Sequence, residues 1–131
     1  MKNCPVKLRF PASVPLDQID VPFIQGMLDR MAFGYFNYGP MRRKYHRPDN
    51  IKNLRLRIKK YLDTGNTEFL MDAANYCMME FAVPAHPKAY FRATSHEESP
   101  GAVMGGMLVK HKSELPPVRG LHAPKRVHEG D

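Results

Sequence analysis

With 131 residues, 43% of them hydrophobic and 25% charged, the chain is the size of one domain and holds enough apolar material to build a core. No apolar run approaches the roughly 18 to 20 residues that span a bilayer. Met1-Lys2-Asn3-Cys4-Pro5-Val6-Lys7 lacks the apolar stretch of a signal peptide, which argues against a secreted or membrane-spanning protein. Two cysteines, Cys4 and Cys77, are too few for a disulfide framework and too far apart for a zinc knuckle. Together with nine methionines they suit a reducing cytoplasm. The apolar flanks of Cys77 predict a small core residue.

The formal charge of +7 is unevenly spread. Arg42, Arg43, Lys44, Arg47, Lys52, Arg55, Arg57, Lys59 and Lys60 are nine cations set against one acid, Asp49, while the charges elsewhere nearly cancel. A nearly neutral chain with one basic segment fits a localised polyanion site. A solvated helix face is the plainer explanation.

In chain order, residues 1–19 carry Pro5, Pro11 and Pro15 and read as an N-terminal arm. The alternation Val6-Lys7-Leu8-Arg9-Phe10 permits one short edge strand, or an extended arm. The first helix starts near Asp20, a capping residue, with Pro22 tolerated in the first turn. Phe23, Ile24, Met27, Leu28, Met31 and Phe36 have helical spacing; Gly34 weakens the last turn and Gly39-Pro40 stops it. Phe33, Tyr35, Phe36 and Tyr38 lie just before the basic run. Such aromatics can stack on bases, but at a helix end they are more often core.

The second helix runs from about Asp49 to Asp63, with Ile51, Leu54, Ile58, Tyr61 and Leu62 on one stripe. Lys52, Arg55, Lys59 and Lys60 fall on the opposite or flanking faces. Thr64-Gly65-Asn66 closes it. The third helix, about Thr67 to Val83, is apolar nearly all round and reads as the central one, capped by Asn66 or Thr67 and ended by Pro84. Beyond it the pattern fades. Residues 95–101 read as loop, and a short helix from Pro100 through Val109 is weakened by Gly105-Gly106. The expected fold is mainly α: a small bundle of about three principal helices over residues 20–109, with a Pro/Gly-rich C-terminal extension over 110–131 that is flexible unless a partner holds it.

On the third helix Glu68, Asp72 and Asn75 share one face. Two carboxylates beside a basic helix that holds phosphates are what a Mg²⁺ site requires, so Glu68 and Asp72 are the candidate metal ligands. Salt bridges to arginines of the second helix are the plainer reading. No glycine-rich phosphate loop is present, and no base arrangement suits a Ser or Cys nucleophile.

Two resemblances follow. Thr64-Gly65-Asn66-Thr67-Glu68-Phe69-Leu70-Met71-Asp72-Ala73-Ala74-Asn75-Tyr76, continuing through Pro84-x-His86-Pro87, Phe91-Arg92-Ala93-Thr94 and Glu98-Ser99-Pro100-Gly101, resembles small proteins of phages and their bacterial hosts. This resemblance implies a place in the host cytoplasm and no particular activity. More distantly, an acidic position followed by Asp72-Ala73-Ala74-Asn75-Tyr76 is similar to one helix of the all-α, MazG-like nucleoside triphosphate pyrophosphohydrolases. Those enzymes hold Mg²⁺ through E-E-x-x-E on one helix and E-x-x-D on another. Here the first helix offers only Asp29, and Glu68 and Asp72 stand four apart rather than three.

Three functions are therefore expected. The leading one is a non-catalytic basic helical protein that contacts nucleic acid or a nucleoprotein complex through Arg42–Lys60, without a cofactor. The others are a Mg²⁺-dependent pyrophosphohydrolase relative using Glu68 and Asp72, and a viral or structural protein–protein adaptor.

Overall fold

A computed structural model describes residues 7–40 and 45–115. The fold is mainly helical, built on α1 (Val21–Tyr38), α2 (Asn50–Thr64) and α3 (Glu68–Ala82). Two compact units divide between Ala89 and Tyr90. The three helices form the first unit. The second carries a short antiparallel hairpin, β1 (Ala102–Met104) with β2 (Met107–Val109). No helix among the described residues is long and apolar enough to cross a membrane.

The helix ends follow the sequence chemistry. Asp20 caps α1 by accepting a hydrogen bond from the Phe23 amide at 2.9 Å, and Asp49 caps α2 by accepting from Lys52 at 3.1 Å. Gly65 ends α2 in the left-handed conformation at φ 74°, its N–H bonded to the Tyr61 carbonyl. The cap on α3 comes from Asn66, whose Oδ1 accepts from the Glu68 amide at 3.1 Å.

α3 lies between the other two. The Asn75 side-chain amide donates to the Met27 carbonyl while Arg30 reaches Asp72 and Glu68, so α1 meets α3 around Met27 and Arg30. Asn50 meets Glu80 while Arg57 meets Tyr76 and Asp72, so α2 runs antiparallel to α3. At the α1–α3 crossing, Gly26 leaves room for Met71: a Cβ there would stand 2.5 Å from the Met71 methyl.

The core is thin. Ala73, Met79, Asn50 and Asn75 are the buried residues of the helical unit among those described. Several sequence expectations are corrected as a result. Cys77 is exposed, because α3 turns it, Met78 and Phe81 away from both neighbours; Phe81 is 75% exposed. Phe33, Tyr35, Phe36 and Tyr38 are not core either, and Phe36 is 87% exposed. They sit on the last turns of α1, where each keeps more than half of its surface exposed. Residues 7–10 form no strand, since no second strand lies alongside them among the described residues.

The short helix expected after Pro100 is replaced by the hairpin. Gly105 and Gly106, at φ 56° and 80°, supply the two positive-φ positions that a tight turn between twisted strands demands. In the same unit Arg92 holds Glu98 by two guanidinium hydrogen bonds, and the Arg92 contact is the main cause that keeps the Glu98 carboxyl below its ordinary range. The extension from residue 116 onward lies outside the described residues, as does Cys4.

Candidate nucleic-acid interface

The nine cations divide into three groups. Arg42, Arg43 and Lys44 lie outside the described residues. Arg47 and Arg57 turn inward and serve the fold. Lys52, Arg55, Lys59 and Lys60 stand exposed on α2.

Arg47 bridges the start of α2 to the end of α3. Its guanidinium donates to the Val83 carbonyl and lies 3.4 Å from Glu80 Oε2, while the Asn50 side-chain amide donates to the same oxygen at 3.1 Å. The other oxygen of Glu80 accepts from the Ala85 amide. That backbone N–H, followed by Asn50 and Arg47, holds the Glu80 carboxyl below its ordinary value. Glu80 is thus a fastener for the turn at Pro84, a role no local motif announces.

Arg57 lies on the α3-facing side of α2. Its guanidinium stacks over Tyr76, 5.2 Å from the ring centroid, and its Nε stands 3.6 Å from Asp72 Oδ2. From the other side Arg30 grips the same carboxylate and stacks over Phe33 at 4.8 Å. Glu68 adds a longer ion pair to Arg30 at 3.7 Å. Arg30, Phe33, Arg57, Asp72 and Tyr76 border a small cleft of about 80 Å³ where the three helices meet. Arg30 received no role from the sequence; its position three residues after Met27, on the face that meets α3, is the signal that could have found it.

Asp72 thus spends both oxygens on arginines, while Glu68 places one of its two 3.7 Å from Arg30. Among the described residues no group of three or more His, Cys, Asp and Glu side chains is placed to hold a metal ion.

On the outer side of α2 the pattern is different. At about 100° per residue, Lys52, Arg55 and Lys59 fall within one narrow stripe with Lys60 on its flank. That stripe is turned away from Leu54, Arg57 and Tyr61, which point toward α3. Lys59 pairs with Asp63 at 3.2 Å, both well exposed, a contact worth little in water. Long, solvated, mobile cations in a row can contact successive phosphates and release their counterions. The chain matches no protein-family model, no curated protein and no solved structure.

Proposed function

We propose that the protein is a small basic helical binding protein that contacts nucleic acid, free or within a nucleoprotein complex, and performs no reaction on it. The observation that supports this reading is the outward stripe of Lys52, Arg55 and Lys59, flanked by Lys60, on a helix whose opposite face is committed to α3. Arg42, Arg43 and Lys44 precede that helix and add charge close to it in sequence. Phosphate-directed binding of this kind carries little base preference. The reading also assigns the protein to the cytoplasm, that of the host under the resemblance to phage proteins.

The test is fluorescence anisotropy with a labelled single strand and a labelled duplex across a salt series. If the four exposed α2 cations each meet a phosphate, the logarithm of affinity falls with the logarithm of salt at a slope of about −3 to −4 from these residues alone. The variant Lys52→Gln, Arg55→Gln, Lys59→Gln, Lys60→Gln, with unchanged helicity, loses most of that slope. No binding at low salt, or equal binding by the variant, rejects the proposal and favours the adaptor reading. The Mg²⁺ pyrophosphohydrolase reading rests on the resemblance at Asp72-Ala73-Ala74-Asn75-Tyr76, and release of pyrophosphate from nucleoside triphosphates with added Mg²⁺ would be its sign.

A further inference from the structure

Two residues at the meeting point of the three helices have features that packing alone does not explain. Asn75 is 5% exposed and lines the small cleft there. Its Nδ2 donates to the carbonyl of Met27, a residue outside the cleft lining. Its Oδ1 is buried and accepts no hydrogen bond from any described residue. A buried acceptor without a donor is costly, and such atoms are rare unless a ligand or a water meets them. Gly34 lines the same cleft from within α1, where glycine is a poorer helix former than alanine. Nothing lies within 4 Å of the place its Cβ would take. Met71 accounts for the missing side chain at Gly26; at Gly34 the missing side chain serves only to keep the cleft open.

The lining describes what enters. At roughly 10–15 Å³ per water, about 80 Å³ holds several waters or the edge of one flat ring. Tyr38, Arg57 and Tyr76 also line an open groove of about 530 Å³, which gives the cleft a wide approach. Phe33 and Tyr38 stand at the rim with more than half of their surface exposed, flat walls on which a ring can stack. Arg30 and Arg57 are matched by Asp72 and Glu68, so the cleft calls for no net charge. A neutral, flat, aromatic group with an N–H at its edge satisfies all of these features, and a nucleobase is such a group.

The neighbouring cations say how the base arrives. Asn53 of α2 lines the open groove, and Lys60, seven residues later, lies on the same side of that helix, at the flank of the outward stripe. A backbone following those cations passes the groove. In a duplex the faces and pairing edge of each base are already engaged, so only an unpaired base can turn in. We propose that the cleft takes one unpaired base of a strand bound along α2, with an N–H of the base donating to Asn75 Oδ1. The proposal rests on the nucleic-acid reading of the α2 stripe and adds that the bound strand is single.

Fluorescence anisotropy with two labelled single strands of equal length and charge tests it, one of oligoadenylate and one with abasic sites throughout. The wild-type protein should prefer the strand with bases by roughly tenfold, within what one stacked base contributes. Gly34→Leu fills the cleft with a better helix former. It should keep the helical circular dichroism, reduce the affinity for oligoadenylate to that for the abasic strand, and leave the salt slope unchanged. Phe33→Leu, at an exposed position, removes a flat wall and should lower the preference if Gly34→Leu fails to fold. Equal wild-type affinity for the two strands overturns the cleft while the basic stripe stands, as does a base preference that survives in a folded Gly34→Leu protein. If neither strand binds, the nucleic-acid reading fails by itself, and uncharged adenosine at millimolar concentration decides on the cleft. A shift of the Asn75 side-chain amide resonances in the wild type, absent in Gly34→Leu, then supports the base site, and no shift rejects it.

Discussion

Arg30 and Asp72, 42 positions apart in the chain, meet side-on: Nε lies 3.0 Å from Oδ1 and Nη2 lies 3.2 Å from Oδ2. This two-pronged pair fastens α1 to α3, and it is shared, because Arg57 of α2 approaches the same carboxylate. One acid thereby ties three helices together. The parallel fork of a guanidinium matches a carboxylate in a way an ammonium cannot.

Asp72→Ala removes the acid that separates two arginine side chains and leaves both partly buried without it. The expected loss is about 1–3 kcal/mol, read as a lower urea midpoint at unchanged slope. Arg30→Gln costs less on its own. A double-mutant cycle of the two positions returns a favourable coupling of about 1–2 kcal/mol. Additive effects would show that the pair contributes nothing specific.

Glu80 gives the stability a pH dependence. Its carboxyl is held below the ordinary value of 4.5 by the Ala85 amide first, then by Asn50 and Arg47. A depressed native value means that the unfolded chain binds the proton more readily. The contribution is therefore complete above about pH 4.5 and disappears as the pH falls through the lower native value. Thermal melts of the wild type and Glu80→Gln should differ clearly at neutral pH and converge in acid. A constant difference would place the effect of Glu80 in packing rather than in charge.

Gly26 separates a tolerated substitution from a harmful one. Ala at this position gains up to about 1 kcal/mol of helix propensity, and the atoms it displaces are the mobile end of Met71. Gly26→Ala should lie within about 1 kcal/mol of wild type. Gly26→Val adds branching that the crossing cannot absorb and should destabilise by about 1–3 kcal/mol. Both are read from thermal or urea unfolding.

The hairpin turn offers a local test. Gly105→Asn suits the left-handed conformation and should preserve the cross-strand contact of Val103 with Leu108 seen by nuclear Overhauser effects. Replacing Gly105 and Gly106 together by alanine should abolish it, since both positions have positive φ.

Much of the fold is legible in the sequence because local chemistry dictates it. Asp20, Asp49 and Gly65 announce helix ends by hydrogen bonds formed within a few residues. The three helices follow from apolar spacing. The burial of particular side chains does not, because that depends on where neighbours lie. Cys77 and Phe81 share a helix with Met79, yet Met79 is buried and they are not. The hairpin was hidden because Val103, Met104, Met107, Leu108 and Val109 fit a helix and a pair of strands equally, and only the φ values of the intervening glycines decide. At the basic segment, counting charge could not distinguish Arg57, committed to Asp72 and Tyr76, from Arg55, which faces solvent two residues earlier.

The link between α2 and α3 consists of Gly65, Asn66 and Thr67, whereas α1 is joined to α3 through residues distant in the chain, such as Arg30 with Asp72. Short-range closure is fast and long-range closure is slow. The α2–α3 pair is thus the natural first piece to assemble, with α1 docking afterwards. Amide protons in α1 should then exchange with solvent through a partial opening that leaves the amides of α2 and α3 protected.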